Sequence, residues 1–131
     1  MVCLETTLLV DALRGKEVAK ELLQNLDNGS EAVTIASPSI VELISGALLN
    51  PKIKEEKNKV IEFLSSFIVL DLDRESAILA GDIEAELTRT GQLIEIDDIM
   101  IAAIALHNKE KLITRNIKHF ERIKELEVDG Y

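Results

Sequence analysis

The chain has 131 residues, of which 47% are hydrophobic and 30% charged, so we expect a single domain spanning residues 1–131 with one full core. Its apolar runs fall short of the ~20 residues of a membrane span and no basic segment leads into an apolar one, so we expect a cytoplasmic protein without membrane contact. A net charge of −9 argues against a nonspecific nucleic-acid binder with a broad basic surface, and 3% aromatic residues argue against base stacking.

Short apolar runs alternate with amphipathic stretches along the chain. The runs predict strands at 1–4, 32–36, 67–70, 111–113 and 127–128. The apolar spacing predicts helices over 6–14, 16–26, 38–49, 51–66, 74–90, 97–107 and 117–123, with a break at Asn50-Pro51. This alternation is typical of an α/β protein whose mostly parallel sheet, of about five strands, is covered by helices on both faces.

Two helix starts carry side-chain signals. Ser37 is the predicted N-cap of one helix, with Pro38 at its first helical position, and Asp73 is the predicted N-cap of the helix that runs to Thr90. The only cysteine, Cys3, lies in the first apolar run. A buried and inert thiol is therefore favoured over a reactive one.

Two acids, Asp97 and Asp98, open the predicted helix at 97–107, which is apolar enough to be buried nearly all round. Acids in a first turn cap free backbone N–H groups and favour the positive end of the helix dipole. One acid suffices for that purpose. The second indicates a carboxylate that a rigid element holds toward a cation.

Oxygen-bearing side chains follow several predicted strands. Glu5 follows the first and Asn116 the fourth, while Glu42 and Asp98 lie on helices that begin after strand ends or loops. Ligands of parallel sheets bind beyond the carboxyl ends of the strands, near the switch in strand order. We therefore expect these four side chains to converge on one edge of the sheet.

Such a group of oxygens suits a divalent cation, and Mg²⁺ in particular binds to one or two carboxylates, waters and substrate phosphates. A metal site of this kind polarises a phosphodiester and makes a nucleophile of bound water. The two histidines, His107 and His119, lack metal-type spacing, and no serine has an adjacent base. The residues therefore favour metal-dependent chemistry over nucleophilic catalysis.

Four segments carry a more specific pattern. They are CLETTLLVDALRG at 3–15, SPSIVELISGA at 37–47, DIMIAA at 98–103 and TRNIKHF at 114–120. In this order and spacing they resemble a PIN domain of the kind found in VapC-type toxins of prokaryotic toxin–antitoxin pairs. The resemblance covers nearly the whole chain, and agreement of four ordered segments by chance is improbable.

The resemblance implies a three-layer α/β/α sandwich, usually dimeric, that acts as a metal-dependent endoribonuclease and is inhibited by a VapB-like antitoxin. The family's acidic quartet falls on Glu5, Glu42, Asp98 and Asn116, and the expected cofactor is Mg²⁺ or Mn²⁺. We expect metal ligation by Glu5, Asp98 and Glu42, with Asp97 as an extra carboxylate. Substrate contacts are predicted at Thr114, Arg115 and Lys118.

Two positions depart from the acidic pattern of this quartet, although the family often has Asn at the second. Glu5 stands where the family normally has Asp, and its extra methylene pushes the carboxylate outward. Because Mg²⁺ requires oxygen distances of about 2.0–2.1 Å in an octahedron, this change weakens the site or favours the more tolerant Mn²⁺. Asn116 keeps an oxygen without the charge, and we assign it as an outer ligand or a water-orienting group.

Each of these residues also has an ordinary structural explanation. Glu5 is then a strand-end charge turned to solvent, Glu42 an outward-facing helix residue, and one of the two acids at 97–98 a cap. Asp11 is expected to pair with Arg14 or to face water. His119 is expected to pack beside Phe120, Thr114 to bond to the site or simply end its strand, and the basic residues at 115 and 118 to serve solubility.

Two other functions stay open at this point. A degenerate PIN domain retained as a binding or scaffold module is consistent with Glu5 and Asn116. A metal-dependent nuclease that acts on DNA, or an RNA-processing enzyme without a toxic role, would carry the same residues.

Overall fold

The structure, a computed structural model, describes residues 1–49 and 53–131. Within these residues one sheet has five strands, β1 (Val2–Leu4), β2 (Val33–Ala36), β3 (Ile68–Leu70), β4 (Lys111–Ile113) and β5 (Val128–Asp129). The strand order is β3-β2-β1-β4-β5, and every neighbouring pair is parallel. This confirms the predicted α/β class and its parallel sheet.

Helices connect the strands as the apolar spacing predicts. In the same part of the chain they are α1 (Thr6–Leu13), α2 (Glu17–Asp27), α3 (Ser37–Leu48), α4 (Ile53–Leu64), α5 (Arg74–Arg89), α6 (Ile96–His107) and α7 (Ile117–Phe120). The predicted break at Asn50-Pro51 lies outside the described residues. None of these helices is long and apolar enough to cross a bilayer.

Alternation along the strands divides the core into two layers. In β1 the side chains of Val2 and Leu4 pack with α1, α2, α3 and α4, whereas Cys3 packs on the opposite face with α5 and α6. In β4, Leu112 and Ile113 divide between the same two faces. The result is the three-layer α/β/α sandwich that the resemblance implies.

Burial raises the pKa of the Cys3 thiol to about 12, so this thiol is protonated and inert, as predicted.

The strand order reverses its direction next to β1. The chain adds β2 and β3 on one side of β1 and then crosses to add β4 and β5 on the other. The crevice between the carboxyl ends of β1 and β4 is therefore the switch point, where α/β sheets bind their ligands. Glu5 follows β1 there, and its backbone N–H donates to the carbonyl of Ile113 at the end of β4, at 2.9 Å.

The predicted helix starts have different outcomes. Asp73 caps α5 as predicted, since its Oδ1 accepts from the backbone N–H of Ser76 at 2.8 Å. The prediction that Ser37 is an N-cap is wrong, because β2 passes into α3 without a loop and Ala36 occupies the N-cap position. The hydroxyl of Ser37 accepts from the backbone N–H of Leu72 instead, at 3.4 Å.

The last elements differ from their predicted bounds. The last helix, α7, ends at Phe120 and not at Ile123, because a turn follows in which the Ile123 N–H donates to the Phe120 carbonyl. Glu125 then has a positive φ of 69°, which a helix does not tolerate. The last strand, β5, begins at Val128, one residue later than predicted.

Candidate active site

Three carboxylates meet beside the switch point. Glu42 lies on α3, and Asp97 and Asp98 lie in the first turn of α6. One oxygen from each of the three lies within 4.8 Å of the others, and all three side chains are half-buried. We call these residues the carboxylate cluster.

Local packing explains why α6 presents its acids rigidly. Residues 99 and 101–105 of this helix are buried, which fixes the helix between the sheet and α5. The N-cap of α6 is Glu95, and no side chain makes a capping hydrogen bond there. The alternative that Asp97 or Asp98 serves as the cap is therefore wrong. Both acids lie at the positive end of the helix dipole and close to Glu42.

The cluster concentrates negative charge. Burial raises the pKa of Glu42 to about 7, and a hydrogen bond and the charge of Asp97 add to the rise. Burial also raises the pKa of Asp98 to about 6, with further contributions from the charges of Asp97 and Glu5. Carboxylates that repel one another in this way favour binding of a proton or a cation.

Glu5 is enclosed beside the cluster. The residue is 2% exposed, and its Oε2 accepts hydrogen bonds from the Thr7 backbone N–H at 3.0 Å, the Thr7 hydroxyl and the Thr114 hydroxyl at 2.8 Å. The explanation as a solvent-facing strand-end charge is therefore wrong. No described residue donates to Oε1, so this oxygen is left for another partner.

Hydroxyls also hold Glu42. Its Oε1 accepts from the Thr6 hydroxyl at 2.7 Å, and that hydroxyl also lies 2.8 Å from the Oγ of the fully buried Ser39. This hydrogen bond opposes the rise in the pKa of Glu42 and joins α1 to α3. Glu42 is thus a half-buried residue that faces the cluster, and the explanation as an outward-facing residue is wrong.

Asn116 caps the short helix after β4. It is half-buried, and its backbone N–H donates to the Thr114 hydroxyl at 2.9 Å. Its side chain makes no hydrogen bond within the part of the chain that the structure describes. The structure therefore brings together Glu42, Asp98 and Asp97 and places Glu5 next to them, whereas Asn116 is joined to Glu5 through Thr114.

Basic and imidazole groups border the cluster. Arg115, Lys118 and His119 are exposed and line one groove together with Asn116. His119 is exposed and its Nδ1 lies 3.7 Å from Oδ2 of Asp98, which differs from the prediction that this imidazole packs beside Phe120.

Asp11 also departs from its expected environment. It is 2% exposed and pairs with Arg115 and Lys16, whereas the sequence indicated Arg14 or water.

Sequence reasoning missed the residues that hold these side chains in place. The bond from the Thr7 backbone N–H was detectable, because a side-chain oxygen at an N-cap position accepts from the backbone N–H two residues later. The contacts of Asp11 with Arg115 and Tyr131 span 104 and 120 positions, and no local pattern signals them. Thr114 is fully buried, so the prediction that it contacts substrate is wrong, whereas the alternative that it bonds to the site agrees with its hydrogen bond to Glu5.

Comparison with known proteins identifies the family. The PIN domain model matches residues 2–126. The tRNA(fMet)-specific endonuclease VapC of Shigella flexneri is 33% identical over 129 residues, covering 98% of this chain and 96% of the relative.

Two solved structures have the same fold over almost all of both chains. A chain of VapBC2 from Rickettsia felis, bound to a DNA fragment from its promoter, superposes with a TM-score of 0.92 at 27% identity, covering 100% of this chain and 99% of the other. A chain of DNA-bound VapBC from Salmonella typhimurium has a TM-score of 0.87 at 29% identity, covering 99% and 98%. With its ordered acidic residues at the switch point of a parallel sheet, this chain belongs to the PIN domain family.

Proposed function

We propose that this protein is a divalent-metal-dependent endoribonuclease that acts as the toxin of a VapBC-type toxin–antitoxin pair. The observation that carries the proposal is the carboxylate cluster, whose three oxygens lie within 4.8 Å of one another at the ligand-binding edge of the sheet. Relatives named ribonuclease or endonuclease over nearly the full chain support hydrolysis of RNA as the reaction.

The donor set fits a hard cation. Glu42, Asp97 and Asp98 offer carboxylate oxygens only, and the Oε1 of Glu5, to which no described residue donates, adds another. Burial and the charges of neighbouring carboxylates raise the pKa values of Glu42 and Asp98, so a bound cation would stabilise the ionised form of both. These four residues would hold Mg²⁺ or Mn²⁺, and the bound cation would supply Lewis-acid activation of water and of the phosphodiester.

Other residues keep this set in place. Thr7 and Thr114 fix Oε2 of Glu5, and Thr6 fixes Oε1 of Glu42, so the carboxylates are oriented before any ligand arrives. Thr114 is fully buried, and its role in this proposal is to hold Glu5. Asn116 is the proposed outer ligand or water-orienting group.

Two exposed cations beside the cluster are proposed to contact RNA. Arg115 and Lys118 line the groove next to Asn116, and contacts to phosphates need no aromatic platform. Because the chain as a whole has a net charge of −9, favourable phosphate binding is confined to such local basic groups.

The toxin role is supported by the proteins that this chain resembles. The structure with a TM-score of 0.92 is VapBC2, and the one with a TM-score of 0.87 is VapBC. We propose that this chain likewise binds a VapB-like antitoxin. We also propose that it forms a homodimer, as its resemblance to PIN domain toxins implies.

Calorimetric titration with Mn²⁺, combined with an RNA cleavage assay on the same samples, tests the metal site. We expect Asp98→Asn to abolish cleavage and to weaken Mn²⁺ binding by at least tenfold, because it removes one charged ligand from the cluster. Asp82→Asn is the matched control, since Asp82 is exposed on α5 and lines a groove near Leu106 at the far end of α6. Cleavage by Asp98→Asn at the parent rate would overturn the assignment.

The same experiment addresses the degenerate binding module, which the Glu at position 5 favours. A folded parent protein that neither binds Mn²⁺ nor cuts RNA would favour the degenerate binding module instead. Turnover together with measurable metal affinity excludes it.

A further inference from the structure

A second charged group is linked to Glu5 through Thr7 and centres on Asp11 of α1. The Nη1 of Arg115 lies 3.1 and 3.0 Å from the two carboxylate oxygens of Asp11. The Nζ of Lys16 lies 3.2 Å from Oδ1, and the hydroxyl of Tyr131 donates to Oδ2 at 2.6 Å. The Asp11 group therefore consists of one buried carboxylate, two cations and a phenol.

This group is physically continuous with the proposed active site. The backbone N–H of Arg115 donates to the hydroxyl of Thr7 at 3.2 Å, and the same hydroxyl donates to Glu5. Arg115 is thus held by its backbone and by its guanidinium. It lies between Thr114, which also donates to Glu5, and Asn116.

The guanidinium of Arg115 retains hydrogen-bonding capacity. Within residues 1–49 and 53–131 only its Nη1 has an acceptor, and half of its side chain, 50%, is exposed. Its Nε and Nη2 are therefore available to an external acceptor. An arginine that a buried carboxylate already orients loses less conformational entropy when it binds a phosphate than a free surface arginine does.

The charge of the Asp11 group is also suited to phosphate. Two cations face one carboxylate, which leaves a positive charge of one on a chain whose net charge is −9. Burial alone raises the pKa of Asp11, but the Tyr131 hydrogen bond and the charges of Lys16 and Arg115 outweigh it and lower the pKa. Asp11 therefore stays ionised and retains its ion pair with Arg115.

We infer that Arg115 contacts a backbone phosphate of single-stranded RNA next to the scissile bond, and that Asp11 is the positioning residue that aims its guanidinium. The inference rests on the proposed function and deepens it, because it names Arg115 as the residue that binds the RNA backbone and Asp11 as the residue that orients it. A positive charge is needed at this place because the carboxylate cluster repels the phosphates that must approach it.

Salt dependence of RNA binding separates this role from a structural one. Each phosphate contact to a single strand contributes about 0.7 to the slope of log K against log [salt]. We would measure fluorescence anisotropy of a labelled single-stranded RNA of mixed sequence in EDTA, between about 50 and about 200 mM KCl. We expect Arg115→Gln to lower the affinity and to reduce the slope by about 0.7, and Arg115→Lys to restore the slope because it keeps the charge.

Lys124→Gln provides the matched control, since it removes one positive charge from the groove near Leu106, at the far end of α6. An unchanged slope in this control and a reduced slope in Arg115→Gln support the inference. Equal slopes in the parent and Arg115→Gln, or equal reductions in both variants, overturn it. A folded parent that neither binds nor cuts RNA rejects the proposed function itself, whereas a parent that cuts RNA with a slope insensitive to Arg115 rejects this inference alone.

A double-mutant cycle tests Asp11 as the positioning residue. Asp11→Asn keeps the size of the side chain and an acceptor for Tyr131, so we expect weaker RNA binding in the parent background and no further loss in the Arg115→Gln background. An equal loss in both backgrounds would show that Asp11 acts through stability only. If Asp11→Asn does not fold, Asp11→Glu replaces it in the cycle, because it keeps the negative charge beside Lys16 and Arg115 but displaces the carboxylate that orients the Arg115 guanidinium by one methylene.

Discussion

The hydroxyl of Thr114 donates a hydrogen bond of 2.8 Å to Oε2 of Glu5, and this bond joins the ends of β1 and β4 across 109 positions of sequence. Both residues are almost completely buried. The bond lies at the point where the strand order reverses, so it fixes a carboxylate of the proposed metal site relative to the β4 side of the crevice.

Thr114→Val should therefore weaken metal binding although it replaces no metal ligand. Valine has a similar volume but no hydroxyl, so Glu5 loses one of its three donors while the two from Thr7 remain. We expect a roughly tenfold to hundredfold loss of Mn²⁺ affinity, typical of removing an outer-shell partner, and a loss of about 1–3 kcal/mol in unfolding free energy. Calorimetry and urea unfolding measure the two effects. Thr114→Ser, which keeps the hydroxyl, serves as the control, and equal behaviour of Val and Ser at this position would refute the role.

Asp98→Asn should make the metal-free protein more stable while it abolishes cleavage. Burial and the neighbouring charges of Asp97 and Glu5 raise the pKa of Asp98 to about 6, so the ionised carboxylate destabilises the folded state above that pH. Removing the charge relieves this repulsion. Differential scanning calorimetry at about pH 8 in EDTA should show a Tm increase of roughly a few degrees. A lower Tm than that of the parent would indicate that the carboxylate is a stabilising structural group.

Metal affinity should rise with pH across the titration of the cluster. The pKa values of Glu42 and Asp98 are raised to about 7 and about 6, so protons compete with the cation below these values. Mn²⁺ binding should strengthen from about pH 5.5 to about pH 8 and should release protons, which titrations in buffers of different ionisation enthalpy detect. Affinity that is independent of pH in this window would place the cation elsewhere.

The stability of the metal-free protein should follow the opposite trend. Because the pKa values of Glu42 and Asp98 are higher in the folded state than their ordinary values of 4.5 and 3.8, folding binds protons. Stability from these groups is greatest below their unfolded values and falls as the pH rises toward about 7. Urea unfolding in EDTA at several pH values measures this loss, and saturating Mn²⁺ should remove much of it above pH 7, since the cation replaces the proton.

The convergence of oxygen-bearing side chains at one edge of the sheet was predictable, because parallel strands present their carboxyl ends there. Glu5 and Asn116 each follow a strand. The position of Asp97 within the cluster depended on the rotation of α6 against α3, which its nearly uniform apolar surface does not specify. The Asp11 group depended on tertiary contacts between distant segments, and nothing in the spacing of Asp11 favoured Arg115 over Arg14. Local patterns therefore predicted which elements carry the site, whereas packing decided which side chains complete it.

Glu5→Asp, which installs the residue that PIN domains normally carry, should not improve this site. Hydrogen bonds hold the Glu5 carboxylate at its present position. Shortening the side chain by one methylene, about 1.5 Å, moves the carboxylate out of reach of the buried Thr114 hydroxyl, which directly follows β4. The cap to the Thr7 backbone N–H can persist, because Asp is a favourable N-cap residue. We expect no gain in Mg²⁺ affinity relative to Mn²⁺ and a loss of about 1 kcal/mol in unfolding free energy. Titration of both metals into Glu5→Asp and the parent, with urea unfolding in parallel, checks this. Tighter Mg²⁺ binding with unchanged stability would show that the extra methylene of Glu5 hinders metal binding. Weaker binding of both metals would show that the hydrogen bonds from Thr7 and Thr114 position a glutamate, and not an aspartate, for metal binding.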